Sequence, residues 1–150
     1  MRTIRPRSVL VGVDGTPNSI AALRRAAVEA RHRRAVLEAV YVVEPGWQTG
    51  TSTGTGAVVS SARATLRHTV ETVVGARPDF SVKLRVVIGD PGEILPRLAD
   101  RAELLVIGAR SDPECLHPLG GATVPAVLGS SPCEVVVCAD HGRTRAVSTA

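Results

Sequence analysis

The sequence has few aromatic side chains: its 150 residues include one Trp, one Tyr and one Phe. The apolar content of 44% therefore comes mainly from Val, Ile, Leu and Ala. Continuous aliphatic and β-branched runs are typical of parallel strands that helices cover on both faces of the sheet. The shortage of aromatic rings also disfavours a protein that binds nucleic acid by base stacking.

Long apolar segments and paired cysteines are also missing. No run approaches the roughly 20 apolar residues of a membrane span, and the apolar run after the basic N-terminal stretch is too short for a signal peptide. We therefore expect a cytoplasmic protein without membrane contact. The three cysteines, Cys115, Cys133 and Cys138, lack the spacing of a zinc site, which favours free thiols.

The charge is basic, but almost entirely through arginine. Lys83 is the one lysine among 18 basic residues, and the formal net charge is +4. This balance, and the stretch ARHRR at 30–34, is compatible with an anionic partner such as nucleic acid. Many of the arginines stand near acids or on helix faces, so a solvated surface is favoured and nucleic-acid binding is not expected.

Strands and helices alternate along the whole sequence. Apolar runs predict five strands, and helical periodicity predicts four helices between them, the first capped by Thr16 and the third shortened by Pro96. The fold class is therefore α/β: one open, mostly parallel five-stranded sheet with helices on both faces. We expect one domain over residues 1–150, with its core at about 7–139. The predicted strands are 8–14, 35–43, 81–89, 103–109 and 133–139. The predicted helices start near 17, 59, 90 and 123. We also expect a mobile loop at 44–56 and a frayed polar tail at 140–150.

The motifs of several enzyme classes are absent. The sequence contains no G-x-G-x-x-G after the first strand, no G-x-x-x-x-G-K-[ST] and no G-x-S-x-G, and its histidines have no obvious acid or nucleophile partner. We therefore expect no catalytic residues and no metal ligands, and at most weak ATP hydrolysis. In an open parallel sheet, a ligand binds at the carboxyl ends of the strands. Asp14, at the first of these ends, could hold a ribose or cap the first helix.

Four blocks of the sequence resemble the universal stress protein family, in the order that the family has them: SVLVGVDGTPNSIAALRRAAVEA, VIGDPGEIL, LLVIGAR and LGGATVPAVLGSSPCEVVV. The resemblance implies strand order 3-2-1-4-5 and a homodimer. It also implies an adenine nucleotide site in which Asp14 holds the ribose and the backbone of Val42 contacts adenine. The same site takes in Gly12 and Val13 before Asp14, and Ile107–Gly108 at the end of the fourth strand.

The phosphate-binding loop departs from the family pattern. ATP-binding members have Gly, two residues, Gly, nine residues, then Gly followed by Ser or Thr. Here Gly108 and Gly121 keep their places, but Ser111 replaces the second glycine and Ala122 replaces the hydroxyl residue. Ser111 crowds the approach of phosphate to the backbone, and Ala122 removes a donor that the adjacent Thr123 could replace.

The sequence thus predicts a stress-response module that binds ATP or AMP, with or without Mg²⁺. The alternatives are a family member that binds no nucleotide and acts through protein partners, and, less favoured, a nucleotide hydrolase of the related superfamily. The last predicted strand is apolar on both faces and is expected at the edge of the sheet next to the fourth strand, where an unpaired apolar edge invites association. We therefore expect a homodimer through Val135, Val136 and Val137.

Overall fold

The computed structural model describes residues 6–45, 54–109, 123–139 and 144–147, with the side chains of 54–55 and 144–147 left out. Within this part of the chain, six strands form one sheet in the order β3-β2-β1-β4-β5-β6. The first five strands pair in parallel and β6 pairs antiparallel with β5, so the predicted order 3-2-1-4-5 is confirmed. The strands are β1 Ser8–Gly12, β2 Val36–Val43, β3 Val82–Ile88, β4 Leu104–Gly108, β5 Glu134–Cys138 and β6 Thr144–Val147.

Four α-helices connect the parallel strands. Thr16 caps the first helix and Pro17 begins it; Asp90 caps the third and Pro91 begins it, as the sequence predicts. The third helix ends after eight residues and continues as a single 3₁₀ turn over Ala99–Arg101, consistent with Pro96 in its last turns. The helices are α1 Pro17–Arg33, α2 Gly54–Val74, α3 Pro91–Leu98 and α4 Thr123–Ser130. None of the helices in the described ranges is long and apolar enough to span a bilayer.

The core has two layers, one on each face of the sheet. Val9 and Val11 of β1 pack with the alanines and leucines of α1 and α2, whereas Leu10 points to the opposite layer beneath α3 and α4. This alternation follows from the period of two in a strand, and burial on both faces explains why the central strands β1 and β4 are continuous apolar runs.

The prediction that β5 forms an edge of the sheet is wrong. β6 pairs with it over four residues, from Val135 opposite Val147 to Cys138 opposite Thr144. Val135, Val136 and Val137 are 0%, 2% and 3% exposed, so they belong to the core and offer no free surface. The residues expected to fray include a strand because β5 presents an unpaired row of backbone donors and acceptors, which can be satisfied without apolar side chains.

The start of α2 also differs from the expectation. The helix begins at Gly54, five residues before the predicted position at 59. Gly54 and Gly56 weaken the helical signal of this first turn, since glycine costs about 1 kcal/mol relative to alanine in a helix. Of the loop predicted at 44–56, residues 46–53 lie outside the described residues.

A chain of ion pairs links α1 to the amino ends of β1 and β4. Glu29 pairs with Arg25 at 2.9 Å and Arg33 at 3.1 Å; Arg33 also approaches Glu103 to 3.8 Å, and Glu103 pairs with Arg7 at 3.3 Å. Burial acts to raise the pKa of Glu29, but hydrogen bonds from Arg33 and Arg25 outweigh it, so this pKa is lowered from its usual value. The network therefore favours the ionised form of Glu29.

The basic stretch at the end of α1 is partly neutralised within the protein. Arg31 pairs with Asp79 at 3.1 Å, and its guanidinium lies 5.6 Å from the centre of the Phe80 ring. Arg33 of the same stretch belongs to the ion-pair chain. Arg34 ends α1 in the left-handed region, with φ of 51°.

Candidate functional site

A cavity of about 450 Å³ opens at the carboxyl ends of β1, β2 and β4. β1 pairs with β2 on one side and with β4 on the other, so the chain connections run in opposite directions from this point of the sheet. Ligands of open α/β sheets bind at such a switch point. Cavities of roughly 300–1,000 Å³ are typical of small-molecule sites, and this one has the size expected of them.

Most of the predicted site residues lie together around this cavity. Those of β1 and its end, of β2, of β4 and of α4 all line it: Gly12, Val13, Asp14, Val42, Ile107, Gly108 and Thr123. Ser111, Gly121 and Ala122 lie outside the described residues. The structure thus brings together the predicted site residues that lie within its described ranges.

Asp14 supports the start of α1 but is not its cap. One carboxylate oxygen, Oδ1, accepts hydrogen bonds from the backbone N–H of Thr16 at 2.9 Å and from its hydroxyl at 2.6 Å. Thr16 in turn caps the helix by accepting from the N–H of Ser19 at 3.3 Å. Gly15, with φ of 83°, provides the turn between strand and helix. The structure therefore assigns Asp14 an indirect capping role through Thr16, while its side chain stays exposed at the cavity.

Gly108 is required by the packing of α1. A β-carbon at this position would stand 2.6–2.7 Å from backbone atoms of Asn18 and Ser19. The side-chain amide of the buried Asn18 donates a hydrogen bond to the carbonyl of Ala109, next to Gly108. The end of β4 is therefore held directly against the first turn of α1, and only glycine permits this approach.

The backbone of Val42 faces the cavity without a partner in β1. The pairing of β1 with β2 ends at Gly12 and Val40, and the N–H of Val13 makes one more bond to the carbonyl of Val40 at 2.8 Å. Alternate residues of a strand direct their backbone groups to the same side. Val42 therefore directs its N–H and carbonyl toward the space beyond the end of β1, where a planar base could meet them.

The helix α2 contributes a wall of the cavity that the sequence did not predict. Val58, Ser61, Ala62 and Thr65 line the cavity from this helix. Small residues at 61, 62 and 65 share one helical face, and this spacing is a signal that could have predicted a wall facing a ligand. The other lining residues not predicted are Thr16, Ser19, Val40, Tyr41, Val43, Glu44, Pro91, Leu95, Ala109 and Val124.

Two charged side chains occur among the described residues that line the cavity, and both are acidic. Asp14 and Glu44 are exposed carboxylates, and neither arginine nor lysine occurs among the described lining residues. Within the described ranges, no three His, Cys, Asp or Glu side chains come together as metal ligands. Mg²⁺ commonly binds through one or two carboxylates together with substrate phosphates, so these two carboxylates fit it only as part of a metal–nucleotide complex.

One protein-family model matches most of the chain. The model of the universal stress protein family matches residues 6–139, which include all five parallel strands. The chain belongs to the universal stress protein family. A universal stress protein of Mycobacterium tuberculosis is 26% identical over 138 residues, which are 91% of this chain and 50% of that protein. The chain thus spans about half the length of this curated relative.

Solved structures of universal stress proteins share the fold. A universal stress protein in complex with cAMP is 24% identical, with a TM-score of 0.58 and coverage of 97% of this chain and 98% of that one. The protein from Archaeoglobus fulgidus in complex with dAMP is 20% identical, with a TM-score of 0.58 and coverage of 88% and 97%.

Proposed function

We propose that this universal stress protein is a binding module for an adenine nucleotide, held in the cavity at the ends of β1, β2 and β4. The observation that carries the proposal is the cavity itself, which lies at the switch point of the sheet and gathers seven of the ten predicted nucleotide-binding residues. Structural relatives in complex with cAMP and dAMP support it.

The described residues suggest a role for each part of the ligand. Apolar side chains such as Val13, Val40 and Ile107 would enclose the base, and the backbone of Val42 would contact its polar edge. The carboxylate of Asp14 would accept hydrogen bonds from ribose hydroxyls through Oδ2, because Oδ1 already serves Thr16. This arrangement is one of binding and orientation, and it requires no catalytic group.

Blocking the cavity from α2 tests the proposal. Thr65 is half-buried in the lining, so Thr65→Phe should fill part of the space and weaken adenine nucleotide binding at least about tenfold, or about 1.4 kcal/mol. Ala64→Phe is the matched control, because Ala64 is the preceding residue of α2, is exposed and does not line the cavity. Calorimetric titration with AMP and cAMP measures both variants. Unchanged binding in Thr65→Phe, or no binding by the parent, would contradict the proposal.

The second candidate function is association with protein partners without a nucleotide. The observation that favours it is the edge strand β3, which pairs only with β2 among the described residues and in which Leu84 and Ile88 are 38% and 46% exposed. Unpaired edge strands with apolar side chains are sites of strand addition. Saturation of the protein with adenine nucleotides would disfavour this candidate as the main function.

A homodimer remains a prediction. The strand β6 covers the edge of β5 through which the dimer was expected to form. Pairing of two β5 strands would require β6 to leave, since β6 occupies the β5 edge over four residues. The residues at 140–150 would then regulate self-association. The proposed cytoplasmic location and unidentified protein partners also remain predictions.

A further inference from the structure

We infer that Thr16 and Ser19, which both line the cavity, are positioning residues of the nucleotide site. Their hydrogen bonds hold Asp14 in the orientation in which its carboxylate accepts from the ribose hydroxyls. The site thereby distinguishes a ribose from a sugar that lacks these hydroxyls. The inference rests on the proposed function and specifies which group of the ligand is recognised and how that recognition is prepared.

The carboxylate of Asp14 is held by two donors from one residue. An exposed aspartate side chain can adopt several rotamers, and a ligand that it binds must select one of them. In Asp14, the oxygen Oδ1 accepts from the backbone N–H of Thr16 at 2.9 Å and from the Thr16 hydroxyl at 2.6 Å. Two donors on one oxygen restrict both side-chain torsions. The carboxylate is therefore oriented before a ligand arrives.

The hydroxyl group of Thr16 serves two partners at once. It has one proton to donate, and an ionised carboxylate can only accept, so this proton is directed at Asp14. Its oxygen accepts the backbone N–H of Ser19 at 3.3 Å, which caps α1. Another rotamer of Thr16 would lose both hydrogen bonds together. The cap of the helix and the orientation of the carboxylate thus stabilise each other.

Ser19 holds the backbone of the same turn. Its hydroxyl accepts the backbone N–H of Asp14 at 3.2 Å and donates to the backbone carbonyl of Thr16 at 3.0 Å. Ser19 is 3% exposed, so these bonds lie largely out of contact with water. Together with the bonds of Thr16, they close a ring in which both the main chain and the side chain of Asp14 are fixed.

The turn that carries this ring is attached to the rest of the cavity. The side-chain amide of the buried Asn18 donates to the carbonyl of Ala109 at the end of β4. In α2, the Cγ2 methyl of Thr65 lies 3.6 Å from the place that a β-carbon on Gly15 would take, which is ordinary van der Waals distance. The support of Asp14 is therefore connected to β4 and adjoins α2, two of the elements that enclose the cavity.

Loss of the Thr16 hydroxyl tests the inference. We expect the wild type to bind AMP about tenfold or more tightly than dideoxy-AMP, which has the same base and phosphate but neither ribose hydroxyl. Thr16→Val, of nearly the same shape, should reduce this ratio about threefold to tenfold, because the ligand must then immobilise the Asp14 side chain itself. Ser19→Ala should reduce the ratio in the same direction, and Thr16→Ser should preserve it. Calorimetric titration measures all of these affinities.

A further variant separates positioning from helix capping. Thr16→Asp keeps an oxygen that can accept the Ser19 N–H, but its ionised carboxylate has no hydroxyl proton to donate to Asp14. It should remain folded in far-ultraviolet circular dichroism and still lose discrimination between the two nucleotides. Thr72→Val is the matched control: its hydroxyl donates to the carbonyl of His68 at an exposed position of α2 outside the described lining, and the ratio should not change.

A double-mutant cycle determines whether Thr16 acts through Asp14. In an Asp14→Ala background, Thr16→Val should cause no further loss of AMP affinity, because the carboxylate that it orients is gone. A further loss as large as in the wild-type background would overturn the inference. So would a wild type that binds both nucleotides equally, or unchanged discrimination in Thr16→Val or Ser19→Ala, and each of these results leaves the proposed function intact. If the wild type binds neither nucleotide, the proposed function fails, and the inference with it.

Discussion

Replacing Gly108 by alanine should test how closely β4 and α1 are joined at the cavity. The new methyl group would stand 2.6–2.7 Å from backbone atoms of Asn18 and Ser19, whereas ordinary contact begins at 3.4 Å. The first turn of α1 would have to move by about 0.7 Å, and backbone atoms cannot move aside as a flexible side chain does. The movement would also strain the hydrogen bond between Asn18 and Ala109.

Two effects should lower the free energy of unfolding of the Gly108→Ala variant. Overpacking of a well-packed site costs about 1–3 kcal/mol, and a weakened buried hydrogen bond about 1 kcal/mol more. We therefore expect Gly108→Ala to lower the free energy of unfolding by about 2–4 kcal/mol. Asp14 lies just before this turn, so binding of the proposed adenine nucleotide should weaken as well.

Urea unfolding followed by far-ultraviolet circular dichroism measures this change. Gly56→Ala is the control: Gly56 lies in α2, a β-carbon there would contact nothing within 4 Å, and the substitution should stabilise the helix by about 1 kcal/mol. A loss of less than about 0.5 kcal/mol in Gly108→Ala would refute the close approach of α1 to β4 as the reason for this glycine.

Three further predictions concern regions outside the cavity. Because its pKa is lowered in the folded protein, Glu29 stabilises the fold above its unfolded pKa, and this contribution is lost as the pH falls through the folded pKa. The difference in unfolding free energy between the wild type and Glu29→Gln should therefore shrink between about pH 5 and pH 3, and a constant difference would contradict the role of its ionised form. Arg34→Gly should raise stability by about 0.5–1 kcal/mol in urea unfolding, since glycine adopts a φ of 51° without strain; a loss would show that the arginine side chain matters more. Removal of residues 140–150 should shift the protein toward a dimer in light scattering, because it frees the β5 edge; an unchanged mass would argue against β5 pairing.

The parallel part of the fold could be predicted because β1, β4 and β5 are short apolar runs and because β2 and β3 are rich in β-branched residues. The strand ends were less predictable: β1 was expected to reach residue 14 but ends at Gly12, because the turn at Gly15 starts the approach to α1. β6 could not be predicted from side chains, since TRAV has neither an apolar run nor a clear alternation. Its pairing depends on the backbone of β5, which the local sequence does not show.

The candidate site could be predicted only in part for a related reason. Residues at strand ends, such as Asp14 and Ile107, follow directly from the topology, because parallel strands bring their carboxyl ends to the same edge. The contribution of α2 depends on how this helix packs across β2 and β3, which periodicity alone does not fix. The role of Gly108 in helix packing likewise depends on the distance to Asn18, a residue 90 positions earlier in the chain.

The antiparallel strand β6 has a consequence for solubility. An exposed β5 would present a short, uncharged, β-branched segment, Val135–Val137, of the kind that nucleates intermolecular β-sheet aggregation. With β6 in place, the outer strand at that side is only four residues long and its sequence includes Arg145. Short edge strands and charged residues discourage further strand addition. A protease that cleaves between β5 and β6 would therefore convert a protected segment into an aggregation site without breaking the rest of the fold.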